Sequence, residues 1–245
     1  MVAACARVAG VDLIRFRSVR HGTGRRALLM TTLGIDLVVD VGANGGQFAL
    51  EIRHAGYGGR IISVEPLAAP FRELSRLAAA DQRWTAIQAA VGPRAGAATI
   101  HVAGNAGASS SFLPMLELHA RAAPGARYVG EELVDVTTLD ELTQAHIGGR
   151  DTILTKIDVQ GYELQVLAGG PVTLGRSSLV QLEMSLLALY EGGPPFQEVL
   201  TFMGQHGFQL IGIEPGFADR TGILLQADGI FATDETVRSL QGAGL

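Results

Sequence analysis

Cysteine occurs once in the 245 residues, at Cys5, which excludes a disulfide framework and supplies too few thiols for a structural zinc site. A reducing compartment suits such a chain, and a cytoplasmic location is expected. The opening stretch "MVAACARVAGVDLIRFRSVR" has arginines scattered through its apolar residues instead of an unbroken apolar run, so it reads as neither a signal peptide nor a membrane span. Positive net charge is missing too: at −5 the chain has no electrostatic footprint of a nucleic-acid binder. Residues 1–30 nevertheless hold six arginines against Asp12, a basic arm on an acidic body. Such an arm suits peripheral contact with anionic lipid, a phosphorylated substrate, or simply a solvated helix face. Lysine is as scarce as cysteine. Lys156 stands alone against 18 arginines, and its position asks for an explanation.

What remains is ordinary globular material. With 47% hydrophobic and 18% charged residues the chain can build one well-cored domain, with the basic helical arm over residues 1–34 and a core over 35–235. "IDLVVDVG" is a short β-branched run ending in glycine, the mark of a strand buried on both faces. "GQFALEIRHAG" follows with Phe48, Ile52 and Ala55 at helical spacing and Gly56 to close the helix. "RIISVE" and "PLAAPFRELSRLAAA" repeat the alternation. "WTAIQAAVG" supplies a third strand, and "AATIHVAG" is expected to pair with it as a hairpin through "GPRAG". Gly104 to Gly130 is weakly patterned, as functional lids and partly helical excursions are. Thr138 and Glu141 have capping-box spacing at a helix start. "TILTKIDV", "GYELQVLAGG", "SLVQLEMS" and "FQEVLTFMGQHG" continue as strand, helix, strand and helix, and "FQLIGIE" with "GILLQADGIFAT" closes as an antiparallel edge hairpin. The fold class expected is α/β, a mostly parallel doubly wound sheet, whose ligands bind beyond the carboxyl ends of the strands.

Chemistry-bearing residues should therefore lie just after strands. In "DVGANGGQF", Gly42 permits a tight turn, Gly45 and Gly46 allow close approach of a ligand, and Asn44 tolerates a left-handed backbone. Glu65 ends the second strand, where a carboxylate can accept both hydroxyls of a ribose, as nicotinamide and adenosylmethionine sites require. Alternation sets Lys156 and Asp158 on one strand face, with two readings open. Either they form a half-buried ion pair that orders the turn at Gly161, or Asp158 reaches the crevice, to accept a proton or face a cation, with Lys156 orienting it or holding a substrate oxygen. Glu163 can belong to the same network, and Glu183, ending the next strand, is a second base candidate. His119 and His206 read as ordinary helix or loop residues. Ser110 and Ser111, in the long excursion, and Tyr190, before "EGGPPF", are candidates for acceptor binding. No His/Cys cluster calls for a catalytic metal.

Together "VVDVGANGGQFAL", "ISVEP", "AAVGPRAGAATI", "SSSF", "VTTLDEL" and "TKIDVQGYELQVLAGG" resemble the FkbM-type family of S-adenosylmethionine-dependent methyltransferases over Ile35 to Thr233. The resemblance implies a Rossmann-like class I methyltransferase fold and methyl transfer to oxygen, often a hydroxyl of a sugar, glycolipid or other natural product. It assigns Asp40, Gly42, Asn44 and Gly46 to the S-adenosylmethionine loop, Glu65 to the ribose and the neighbourhood of Ala89 and Ala90 to adenine. Lys156, Asp158, Gly161 and Glu163 match its later motif. Two other functions remain open at this stage. One is a nicotinamide-dependent oxidoreductase, which the missing GxGxxG spacing disfavours; the other is a methyltransferase-like binding protein without turnover.

Overall fold

The structure, a computed structural model, describes residues 21–242. Seven strands form one sheet: β1 (Leu37–Val41), β2 (Arg60–Val64), β3 (Trp84–Ile87), β7 (Ile153–Ile157), β8 (Ser177–Ser185), β9 (Phe208–Pro215) and β10 (Gln226–Thr233). Their order is β3-β2-β1-β7-β8-β10-β9, parallel throughout except for β10, which runs antiparallel to both neighbours. Three further strands, β4 (Ala90–Val91), β5 (Gly96–Ala103) and β6 (Tyr128–Thr137), make a small separate sheet in the order β4-β6-β5. The chain thus has the α/β class I methyltransferase architecture, with its C-terminal hairpin at one edge.

Burial on both faces explains why apolar residues occupy both faces of these strands. Val38, Ile61, Leu154 and Leu179 point to one side, where α1 (Gly22–Thr32), α2 (Gln47–His54) and α3 (Ala68–Ala78) contribute Met30, Phe48, Ile52 and Leu74. Val39, Ile62, Ile157 and Leu182 point to the other. There α5 (Leu139–Gln144), α6 (Glu163–Ala168), α7 (Pro171–Arg176) and α8 (Phe196–Gln205) cover them with Leu142, Val166, Leu174 and Met203. The capping box is present in full: Glu141 N donates to Thr138 Oγ1, and Thr138 N donates to Glu141 Oε2. Gly56, with φ of 100°, follows α2 in the left-handed conformation that closes helices.

Two expectations are corrected. β5 does not pair with the "AAVG" strand; it pairs antiparallel with β6, which inserts between β4 and β5. Ten residues of β6 offer a longer ladder than the two of β4. The excursion after β5 contains a short helix, α4 (Glu117–Ala122), and its last residues belong to β6. Of the basic arm, Arg7, Arg15, Arg17 and Arg20 lie outside the described residues; Arg26, on α1, is not a solvated face residue but is buried. No helix among the described residues is long and apolar enough to cross a membrane.

Candidate functional site

The turns after β1 and β7 meet backbone to backbone. Asp158 N donates to Val41 O at 3.0 Å, and a Cβ built on Gly42 would lie 1.9 Å from the Asp158 carbonyl oxygen, a space only glycine leaves free. Glu163 holds the second turn: its Oε1 accepts from Val159 N and Gly161 N, each at 3.1 Å, while Gly161 and Gln160 take positive φ. The glutamate is thus a turn-pinning residue. Burial pushes its carboxyl up to about 7 against those two amides.

Beside this junction lies a cavity of about 380 Å³, within the roughly 300–1,000 Å³ of small-molecule sites. Gly42, Asn44, Glu65, Ala90, Ser110, Lys156 and Asp158 line it, so the structure brings seven of the residues expected from the sequence to one cavity. The others stand back. Asp40 is fully buried beneath Lys156. Gly46 opens α2 at φ of 90°, and a Cβ there would meet the Trp84 ring at 3.0 Å, so its smallness serves packing. Ser111 Oγ donates to Gln160 O at 2.8 Å, and Tyr190 Oη to Gln160 Oε1 at 2.6 Å, both from behind the wall. Glu183 accepts from Gln160 Nε2 and Gln226 Nε2 on one oxygen, also behind it. His119 packs edge-on against Tyr190, away from the cavity, and His206 faces Phe202 O at the end of α8.

At one end of the cavity Glu65 is buried and accepts two backbone amides, Asn44 N on Oε2 and Leu67 N on Oε1, both at 2.9 Å. A carboxylate has about four acceptor sites, so two remain for hydroxyl donors. Val64, Leu67, Ala89, Ala90, Val91 and Ile100 supply an apolar wall next to it. The loop at Gly107 is tied over Asn44, whose Nδ2 donates to Ala106 O at 3.0 Å. An adenosyl group fits this donor and acceptor set: an apolar slot for a base, then a carboxylate for a ribose diol.

The other end is ionic, and here the lone lysine finds its reason. Register aligns Ser63, Asp40, Lys156 and Gln181 across four adjacent strands, all toward α1 and α2. The Lys156 ammonium sits 3.3 Å from Asp40 Oδ1 and 3.4 Å from Asp158 Oδ2, with the Phe48 ring centroid at 5.4 Å. Burial works against that charge, but Asp158, Asp40 and Asp228 outweigh it and hold the amine above its ordinary range. Lys156 therefore stays an ammonium and is no proton acceptor. A compact ammonium bridges two carboxylates in a space that a planar guanidinium would overfill. Asp158, its side chain 31% exposed, is held from the other side by Gln160 Nε2 at 2.9 Å.

Sequence reasoning missed Gln160, Arg26, Gln181, Glu51, Glu214 and Asp228 on the cavity wall. Gln160 links Asp158, Glu183 and Tyr190, and its signal lay inside "KIDVQGYE". Asp228 carried a signal as well, an acid inside the apolar run "LLQADGIF". Burial raises its carboxyl to about 6, with Asp158 adding to the effect.

Solved structures are similar to this chain at low identity. The methyltransferase FkbM of Methylobacillus flagellatus KT is 16% identical with a TM-score of 0.49; the match covers 81% of this chain and 43% of that one, so the chain spans less than half its length. Magnesium protoporphyrin IX methyltransferase of Synechocystis PCC 6803, solved with bound SAM, is 12% identical with a TM-score of 0.46, covering 94% and 89%. Precorrin-6y C5,15-methyltransferase of Geobacter metallireducens GS-15 is 13% identical with a TM-score of 0.42, covering 84% and 86%. No curated protein sequence matches the chain. The methyltransferase FkbM domain does match, over residues 40–210, a span holding the β1 turn, Glu65 and the whole Lys156–Glu163 segment, and on that match the chain belongs to the FkbM methyltransferase family.

Proposed function

We propose that the chain is an active O-methyltransferase that alkylates a hydroxyl, in a sugar of a glycolipid or natural product, with Asp158 receiving the hydroxyl proton. Family membership makes S-adenosylmethionine the cofactor and removes the nicotinamide alternative. One observation carries the reading: Asp158 shares a cavity wall with Gly42, Asn44 and Glu65. Tyr162, Phe112 and Ser110 line the same cavity as Asp158, a mixed aromatic and polar lining that suits a sugar ring.

When bound, the cofactor supplies an electrophilic methyl group on a sulfonium. The chain's own residues do the rest. Glu65 would hold the ribose, the apolar wall the base, and the β1 turn would leave room for the methionine chain. Lys156 and Gln160 orient Asp158 so that a carboxylate oxygen meets the acceptor proton. Alignment can supply up to about 7–11 kcal/mol, against about 10²–10⁴-fold from a general base, so positioning dominates.

Thermal melting separates the readings. At about 100 times its dissociation constant, S-adenosylhomocysteine should stabilise the protein by roughly 2.7 kcal/mol, about 5–11 °C for a chain of this size, and NAD should not. Stabilisation by NAD alone would overturn the cofactor. Labelled-methyl transfer to extracted glycolipids, with the product bond identified by mass spectrometry and NMR, then tests the chemistry. A methyl on nitrogen or carbon sinks the O-transfer reading, and cofactor binding without transfer to any acceptor favours a binding protein.

Glu65 makes binding pH-dependent. Burial pushes its carboxyl up to about 7, from an ordinary 4.5, against the pull of the Leu67 and Asn44 amides. A folded value above the unfolded one means that ionisation costs stability, so the free protein loses this group's share as pH rises from about 4.5 to 7. Ribose hydroxyls donate to the ionised form. S-adenosylhomocysteine affinity should therefore climb up to about tenfold per pH unit below 7 and level off above it. Calorimetric titration from pH 5 to 8 checks the slope, and Glu65→Gln should flatten it; a slope that survives in the variant assigns the titration elsewhere.

A further inference from the structure

Two residues on the cavity wall, Arg26 on α1 and Glu214 on β9, lie outside the matched residues 40–210. Arg26 is only 5% exposed. Its terminal nitrogens donate to Glu51 Oε1 at 2.6 Å, Glu214 Oε2 at 3.0 Å and Gln181 Oε1 at 3.2 Å, and its guanidinium lies 5.0 Å from the Phe48 ring centroid. Those acceptors all pair with the terminal nitrogens: Arg26 Nε is buried and has no hydrogen-bond partner among the described residues. Glu214 mirrors it. Oε2 takes the guanidinium, and Oε1 is buried without a hydrogen-bond partner among the described residues.

Buried polar atoms are nearly always paired, because an unmade bond costs the whole desolvation of the group. Here a cation keeps a spare donor and an anion, ion-paired to it, keeps a spare acceptor, on two side chains that both line one cavity. A simple anion would satisfy Arg26 and repel Glu214, Glu51 and Asp228; a simple cation would do the reverse. A group with both charges on one carbon satisfies both. We propose that Arg26 and Glu214 bind the α-amino-acid end of S-adenosylmethionine, the carboxylate accepting from Arg26 Nε and the ammonium donating to Glu214 Oε1. This rests on the cofactor reading above and extends it: α1 becomes part of the cofactor site, and the site selects the intact cofactor over adenosyl thioethers that lack the zwitterion.

Titration calorimetry with three ligands tests it: S-adenosylhomocysteine carries both charges, its decarboxylated analogue S-adenosyl-3-thiopropylamine carries the ammonium alone, and 5′-methylthioadenosine carries neither. Wild-type protein should bind S-adenosylhomocysteine at least about 30-fold tighter than methylthioadenosine. Arg26→Gln should erase most of the advantage that S-adenosylhomocysteine holds over the thiopropylamine and leave methylthioadenosine affinity unchanged. Glu214→Gln, on a different element, should weaken both ammonium-bearing ligands and again spare methylthioadenosine. The unchanged methylthioadenosine arm certifies a folded site in each variant. Equal losses for all three ligands in both variants would mean a structural role and overturn the proposal, as would a wild-type protein indifferent to the amino-acid end. Binding of none of the three would remove the cofactor reading itself, a different result.

Discussion

Asp158→Asn should lower turnover by about 10²–10⁴-fold at undiminished S-adenosylhomocysteine affinity, the span a positioned general base contributes. The substitution keeps shape and size, and an amide can still accept from Lys156. What it loses is the ability to take up a proton. Three of its neighbours do not replace it: Lys156 is held as an ammonium, Glu163 spends its accepting oxygen on the turn amides, and Glu183 lies behind Gln160. Burial, reinforced by Asp158, Glu163 and Asp228, also keeps the Glu183 carboxyl well above the usual range. Glu183→Gln is the comparison. It should act only through Gln160 and fall well short of the Asp158 variant. Turnover of Asp158→Asn near wild type, measured on the acceptor found by methyl labelling, would refute the assignment; a reversed ranking of the two variants would transfer the proton to Glu183.

How far the residues alone reached depends on the range of the interaction involved. β1, β2, β7 and β8 are rich in apolar residues on both faces because both sheet faces are covered, and such strands can be read without knowing what covers them. The partner of β5 could not be read that way: "GPRAG" is a plausible hairpin turn, but the ladder is decided by β6, which begins only at Tyr128, beyond the whole excursion. α7 escaped because six residues after Gly170 carry too little periodicity. At the site, residues reporting on their own strand were legible. Asp158 and Lys156 share a face by alternation, and Glu65 directly follows a strand. Arg26 was not. Nothing local distinguishes it from Arg25 beside it; what buries it is the meeting of Glu51, Gln181 and Glu214 from three separate elements.

Gly42→Ala should be among the most damaging single substitutions in the chain, costing more than about 3 kcal/mol, or some 6–12 °C in melting temperature. Two costs add there. A left-handed backbone, φ of 79°, penalises an L side chain by roughly 1–2 kcal/mol. The methyl would also overlap the Asp158 carbonyl, 1.9 Å from the built Cβ, with the Val159 side chain at 3.3 Å. Gly34→Ala isolates the first cost, since Gly34 has φ of 64° and nothing within 4 Å. Gly175→Ala, on α7 with open space and no positive φ, should be neutral or slightly stabilising. Denaturant melts of the three variants thus measure the overlap as the difference between positions 42 and 34. Equal losses there would mean that the two turns do not touch. Because the Asp158 N to Val41 O bond is the same contact seen from the other strand, any Gly42→Ala protein that folds must part the turns. It should lose S-adenosylhomocysteine affinity and turnover together, unlike Asp158→Asn, which separates them.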